Sequence, residues 1–502
     1  MGEKEYTVYK SKWKILFFCC LTAGLLNAFT AWQSNIDFHN QVLFFVLLIG
    51  LIFFYIKTFG LEKFGEKQLI FVIFALGFIF RLVYTMETGH IYRQHDVYGS
   101  NGHLEYIERL YRGEGLADTV KWQYYQPPVW HALCALWLKI QTFIGVDYKS
   151  ALENLQLISL FCSSAIMFVS HRLFRMFELR GNALIFPCLI VAFHPTFIIL
   201  SGSINNDVLS LLLALISVML ALKWYRNPKF TTIIALAFSI GFSMGVKLSG
   251  GLIALGIAIL FAIRFFQKKA NKLNLFAQFA SFGAICVPIA LWWQFRNLIK
   301  FDTPLTYVPM LSEKNSQYIG FRSTFERLFD FSSLWENGVY PARMIKSQPM
   351  YEYFEYNIPL GALKSSVFGE YYLGKDTILE FFAVILFWTA AILAVISIIA
   401  SFYVIIKAIK TKNNPIEKIY PFIIAATLIF SYVKFCFEFA HFCTMDFRYI
   451  ALTLVLGCLY IGLLLKETKE NNKMFGKILS YVIGIFSVVM SVSSLLIYVT
   501  IG

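Results

Sequence analysis

The chain has 502 residues, 58% of them hydrophobic and only 15% charged, with a formal charge of +14. Soluble domains carry roughly 25% charged residues, so a single water-soluble core is excluded. The basic excess falls mostly in short loops between apolar runs, which argues for a membrane and against nucleic acid as the partner.

The fold class expected is all-α integral membrane: a polytopic helical bundle of about thirteen transmembrane helices, with interfacial helices in the first outer loop. Lys4, Lys10, Lys12 and Lys14 precede the first apolar run. That run continues to Trp32 without a clean small-residue cleavage site, so it reads as an uncleaved span. Spans are expected at about 14–32, 42–58, 69–86, 152–170, 183–201, 207–223, 231–246, 249–264, 275–295, 378–406, 419–437, 447–465 and 478–500.

The segment 127–145 is ambiguous, and loop charge decides it. Taken as an interfacial helix, with the N-terminus cytoplasmic, it leaves the basic loops inside. Those loops carry Lys63 and Lys67, Arg172 and Arg175, Lys223 and Arg226, Lys268 and Lys269, Lys407 and Lys410, and Lys466 and Lys469. Taken as a span, it would send every later basic loop outside. Its Trp130, His131, Trp137 and Lys139 also suit an interface.

The chain then divides into four regions. Residues 1–68 hold two N-terminal spans and a basic inner loop. Residues 69–296 form a transmembrane core that includes the outer loop 88–150. Residues 297–376 are a second large outer loop, and 377–502 hold the C-terminal spans. The nine cysteines form no CxxC pair and no metal spacing, and they read as small apolar core residues.

Polar residues interrupt the apolar pattern at a few places. Asp96 follows closely on a span that carries Arg81, with His95, His103 and Glu105 beside it. An acid there can take a proton from a substrate hydroxyl or help hold a divalent metal, although a solvated loop acid is the plainer reading. Tyr124 and Tyr125 lie before Pro127 and Pro128, and such aromatics suit stacking on a sugar or a lipid interface equally. Asn205, Asn206 and Asp207 either cap the next helix or form a polar cluster at the bundle mouth. Lys247 sits in a break between apolar runs, where it either contacts a phosphate or snorkels. Arg296 closes one span, and Arg448 opens another beside Asp446. The loop-charge topology puts Asp96, Asp207, Lys247, Arg296 and Arg448 on one face, a set suited to transfer from a lipid phosphate.

These same residues resemble the GT-C superfamily of membrane glycosyltransferases, in particular the bacterial protein O-mannosyltransferase and aminoarabinose-transferase group. The matching pieces are Arg81 followed by His95-Asp96-Val97, then Tyr124-Tyr125-Gln126-Pro127-Pro128, His171-Arg172-Leu173-Phe174-Arg175, Asn205-Asn206-Asp207 and Arg448-Tyr449. They cover about 69–310 and 440–465. The resemblance implies a polyprenyl-phosphate-linked sugar as donor. It implies Asp96 as catalytic base and Asp207 as a second acid. Many members carry two near-adjacent acids in the first loop, whereas here Asp96 stands alone, which leaves metal dependence open.

The function expected is an inverting transfer of a hexosyl or pentosyl group to a glycan, lipid or protein acceptor. It would occur on the outer face of a plasma membrane, in a protein of bacterial origin. Asp96 and Asp207 are the catalytic candidates. Lys247, Arg296 and Arg448 are candidates for the donor phosphate. His95, His103, Glu105, Tyr124, Tyr125, Asn205 and Asn206 are candidates for contacts to substrate. No metal ligand set is assigned. A glycan ligase or polymerase using a lipid diphosphate would use the same cations. A transporter would need charges in mid-span, of which the chain has few; the main candidates, Arg81 and Lys434, both lie near span ends.

Overall fold

The computed structural model describes residues 65–90, 97, 99–268, 270–336, 338–344, 351–370, 377–471 and 473–500. The expected spans at 14–32 and 42–58, and the candidates His95 and Asp96, lie outside the described residues.

Apolar runs this long become helices because lipid offers no partner for a bare N–H or C=O, so each segment must satisfy its own backbone. Among the described residues, eight helices are long and apolar enough to cross a membrane. In chain order the described helices begin with α1 (Glu66–Glu87), α2 (His103–Arg112), α3 (Val129–Phe143), α4 (Tyr148–Glu153) and α5 (Gln156–Met176). Then follow α6 (Asn182–Phe193), α7 (Pro195–Ser201), α8 (Asp207–Arg226), α9 (Phe230–Val246), α10 (Ala254–Phe265) and α11 (Lys272–Phe301). After the short α12 (Thr324–Phe329) and α13 (Ser333–Glu336) comes a two-stranded antiparallel ribbon, β1 (Ala342–Met344) with β2 (Tyr351–Tyr353). The chain closes with α14 (Ile358–Phe368), α15 (Thr377–Thr411), α16 (Pro415–Glu438), α17 (Leu452–Asn471) and α18 (Lys473–Thr500).

This is an all-helical polytopic membrane architecture, with fewer spans in the described residues than expected. Two expected spans are bent pairs, α6 with α7 at 45° and the stretch Phe442–Ile450 with α17 at 48°, giving ten spans at most. The expected span 231–246 is the 17-residue α9. At 1.5 Å per residue that is about 26 Å, short of a hydrocarbon core of about 30 Å. The ambiguous segment 127–145 forms α3, 15 residues long, shorter still.

Burial sorts the helices into centre and rim. The Tyr148–Met176 window is 78% buried and that of α8 is 67%, whereas that of α11 is only 22%. Helices α5 and α8 are therefore the axis, and α11 is a rim helix presenting most of its surface outward.

The break between α6 and α7 has a chemical cause and a specific repair. Pro195 has no N–H, so the Val191 carbonyl loses its i+4 donor, and the Thr196 N–H turns to His194 Nδ1 instead. Arg81, fully buried on α1, supplies the missing donors. Its guanidinium donates to the carbonyls of Ala192 (2.5 Å), Val191 (3.1 Å) and Gly77 (2.9 Å), and to Ser163 Oγ (2.9 Å). Gly77 permits the approach, since a Cβ there would lie 3.1 Å from Ala192 Cβ.

The two ends of the bundle differ in charge chemistry. At one end the basic loops are pinned by ion pairs: Arg226 to Glu417, Lys418 to Glu467 and Lys466 to Glu178. At the other end lie the N-terminus of α8 and the C-terminus of α16, with α2, α3 and the 302–344 segment.

Candidate active site

Asp207 is the first residue of α8, where a carboxylate faces the positive end of the helix dipole. Its N–H donates to Asn205 Oδ1 at 3.2 Å. Lys247 ends α9, its N–H bonded to the Ser243 carbonyl at 2.9 Å, where the chain turns into a 3-10 helix, Leu248–Ile253. That turn is drawn onto α8 by Ser210 and Ser243, which hydrogen-bond each other's main chain. Gly250 makes the approach possible, since a Cβ there would lie 2.9 Å from Ser210 Oγ and from the Ser243 carbonyl. Lys247 Nζ consequently meets Asp207 Oδ1 in a direct ion pair.

Arg448 arrives from a third element, the 3-10 turn Phe447–Ile450, and its own N–H donates to Asp446 Oδ1 at 2.9 Å. Arg448 Nε lies 3.6 Å from Asp207 and 3.5 Å from Asp446. Tyr449 floors the group, with Lys247 Nζ 4.6 Å from its ring centre. Two cations thus converge on one buried carboxylate and share an aromatic wall.

This cluster forms one end of a cavity of about 420 Å³. Three cations line it, Lys247, Lys434 and Arg448, with two acids, Asp207 and Glu438. The lining also includes uncharged polar residues, Gln123, Gln126, Gln294, Asn297 and Thr303, with Tyr125 and Tyr307 edge-on to each other. Gln294 Oε1 and Thr303 Oγ1 are buried and have no hydrogen-bond partner among the described residues. Such groups are costly unless a ligand or water satisfies them.

His103 lines the same cavity, its Nδ1 2.9 Å from Nε2 of His131, which stacks on Tyr106. Burial, then the neighbouring His131 and the charges of Lys247 and Arg448, hold the His103 pKa well below the ordinary histidine value. Burial pushes His131 down to about 3. The pair is neutral at pH 7, one ring donating to the other.

The remaining candidates divide. Asn206 lines the cavity and donates to the Val246 carbonyl at 2.9 Å and to Gln126 at 3.4 Å. Asn205 serves the turn into α8. Tyr125 lines the cavity, whereas Tyr124 is buried on Tyr106 and does not. Glu105 accepts from the Asn101 N–H and stands off the cavity. Arg296 is not brought to the cluster: its guanidinium stacks on Trp293 at 4.3 Å and binds the Ala117 carbonyl and Asn297. Lys434, considered above for transport, takes a place among the cavity cations. Gln294, Asn297 and Thr303 were not singled out from sequence, because uncharged polar residues near helix ends read as ordinary caps.

Among the described residues no group of three His, Cys, Asp or Glu side chains is arranged to hold a metal ion.

No family model matches the chain, and no curated protein does. Solved structures similar in shape include two at low identity. One is ArnT from Cupriavidus metallidurans in the apo state, at 13% identity and a TM-score of 0.37, covering 78% of this chain and 76% of ArnT. The other is the Archaeoglobus fulgidus oligosaccharyltransferase in complex with zinc and sulfate, at 12% identity and a TM-score of 0.42. That match covers 84% of this chain and 53% of the archaeal protein, so the chain spans about half its length. At these scores neither match bears on the chemistry of the site.

Proposed function

We propose that the chain is a membrane glycosyltransferase that moves a sugar from a polyprenyl-phosphate donor to an acceptor hydroxyl on the outer face. The observation that carries this reading is the convergence of Lys247 and Arg448 in a cavity that is also lined by neutral polar and aromatic side chains. The cations suit the phosphate; the Gln, Asn and Thr side chains and the tyrosines suit a sugar. The basic loops at the opposite end support an outward-facing site.

The acceptor oxygen attacks the anomeric carbon as the bond from that carbon to the phosphate oxygen breaks. The bonding pair stays with the phosphate, whose growing charge Lys247 and Arg448 offset. The hydroxyl proton passes to a carboxylate, for which Asp96 is the candidate, and attack opposite the leaving group inverts configuration. Asp207 is engaged by both cations, so its role here is to hold them in place rather than to take the proton.

The test is transfer of labelled sugar from a panel of polyprenyl-phosphate sugars in acceptor-containing native membranes. Lys247→Ala is expected to lower transfer about 100-fold, the loss of roughly 3 kcal/mol of charge-assisted bonding. Asp96→Asn is expected to abolish it. Asp207→Asn is expected to lower the rate while keeping the wild-type pH profile. Full activity in Asp96→Asn would remove that residue as base. No transfer by wild type from any monophosphate donor would move the reading to a diphosphate ligase or a transporter.

A further inference from the structure

Beside the cavity wall, a short stretch shows a row of outward aromatics. Phe321, Phe325, Phe329 and Trp335 are 72%, 68%, 62% and 78% exposed. None belongs to a spanning helix. In water so dense a patch is a standing free-energy cost, and such patches mark contact surfaces.

Several polar side chains of the same stretch are engaged with protein. Arg322 pairs with Glu326 at 3.0 Å and lies over the Tyr356 ring at 4.4 Å. Arg327 is buried and donates to the Cys436 carbonyl at 2.7 Å. Asp330 accepts from the Tyr356 hydroxyl at 2.7 Å. Ser323 and Glu326 close a capping box on α12, and Asn357 donates to the Asp330 carbonyl at 2.9 Å. With these groups bonded within the protein, the outward face is dominated by aromatics, beside the exposed Ser323, Thr324 and Glu336, a mixture suited to the headgroup boundary rather than the hydrocarbon core.

The depth of this face follows from α15. Trp335 packs on Trp388 of that helix, ring centres 6.4 Å apart. Lys407 and Lys410 mark the far end of the span. About 20 residues, or roughly 30 Å, back from Lys407 reaches the position of Trp388. Trp388 is partly exposed on the outward side of α15, as is Phe381. Trp335 therefore lies level with the boundary between hydrocarbon and headgroups, where tryptophan is favoured.

We propose that residues 321–335 lie in the plane of the membrane, with Phe321, Phe325, Phe329 and Trp335 seated in the lipid headgroup–acyl boundary. The occupant of the patch is the bilayer, because the patch continues the lipid-facing surface of α15. Just before it, the chain is tied to the segment that follows α16, next to the cavity-lining Glu438 and Phe439: the Ile319 N–H donates to the Ala440 carbonyl and the Phe442 N–H to the Gln317 carbonyl, each at 2.9 Å. The anchor holds that segment at the membrane surface whatever reaction the cavity serves.

The test places p-benzoylphenylalanine at 325 or 329 in the full chain, in nanodiscs of phosphatidylethanolamine and phosphatidylglycerol, and seeks crosslinks by mass spectrometry. Position 430, 74% exposed on α16, is the lipid-facing control, and position 314, an exposed lysine of the same loop, is the aqueous one. Lipid adducts are expected at 325, 329 and 430, several-fold above those at 314. Adducts at 430 with none at 325 and 329 would overturn the proposal. So would crosslinks from 325 or 329 to residues 1–64 or to a second copy of the chain.

Discussion

His103 and His131 place two imidazoles in full burial beside two cations, and the consequence is a stability that depends on pH. Their folded pKa values lie below the ordinary value of about 6.5. The unfolded chain therefore takes up protons as pH falls through 6.5, while the folded pair stays neutral. The stability given by the neutral form is complete above pH 6.5 and is lost progressively toward about 3, the value for His131. Accumulated from pH 6.5 down to pH 5, the loss amounts to about 2 kcal/mol for His131. The unfolding midpoint in detergent is expected to drop by a few degrees between pH 7 and pH 5, and less so in His131→Gln. Equal pH dependence in the two proteins would show that the pair does not carry the effect.

At the scale of elements, the break at Pro195 and the guanidinium of Arg81 act as one unit. Arg81→Met strands carbonyls inside the bundle, and each buried unmet acceptor costs about 1–3 kcal/mol. A loss of at least about 3 kcal/mol is expected, read as a lower melting temperature and poorer yield in the membrane. Arg81→Lys is expected to recover only part, since an ammonium lacks the planar fork that reaches several carbonyls together. The two sites are coupled: Pro195→Ala returns an N–H to Val191 and is expected to soften the effect of Arg81→Met. Additive losses in the double variant would show that the arginine does not serve the break. A charge expected from sequence either to mark a catalytic motif or to line a transport path is accounted for by one missing N–H.

For the whole molecule, orientation follows from charge at its two ends. The loop between α15 and α16, with Lys412 beside Lys410, is expected on the cytoplasmic side, and the 302–344 segment outside. A fluorescent reporter that matures only in the cytoplasm should light up when fused after residue 412. A membrane-impermeant thiol reagent should label Lys314→Cys in whole cells. Labelling at 412 from outside would reverse the bundle and put the cavity on the inner face.

The apolar runs determined by themselves that the chain is a helical membrane bundle, because lipid leaves the backbone no other partner. The polar interruptions at Asp207, Lys247 and Arg448 were legible too, since charge on an apolar chain survives only at span ends or in a site. Which of those residues meet was decided by tertiary packing. Gly250 lets the Lys247 turn close on α8, whereas the direction in which Arg296 leaves α11 sends it to Trp293, although the sequence puts both on one face. The neutral lining of Gln294, Asn297 and Thr303 was invisible because nothing in their spacing separates a cavity lining from a helix cap. The aromatics of 321–335 were legible as composition only; the pairing of Trp335 with Trp388 set their depth. Sequence fixes which groups must avoid lipid or seek it, but only packing fixes which of them face each other.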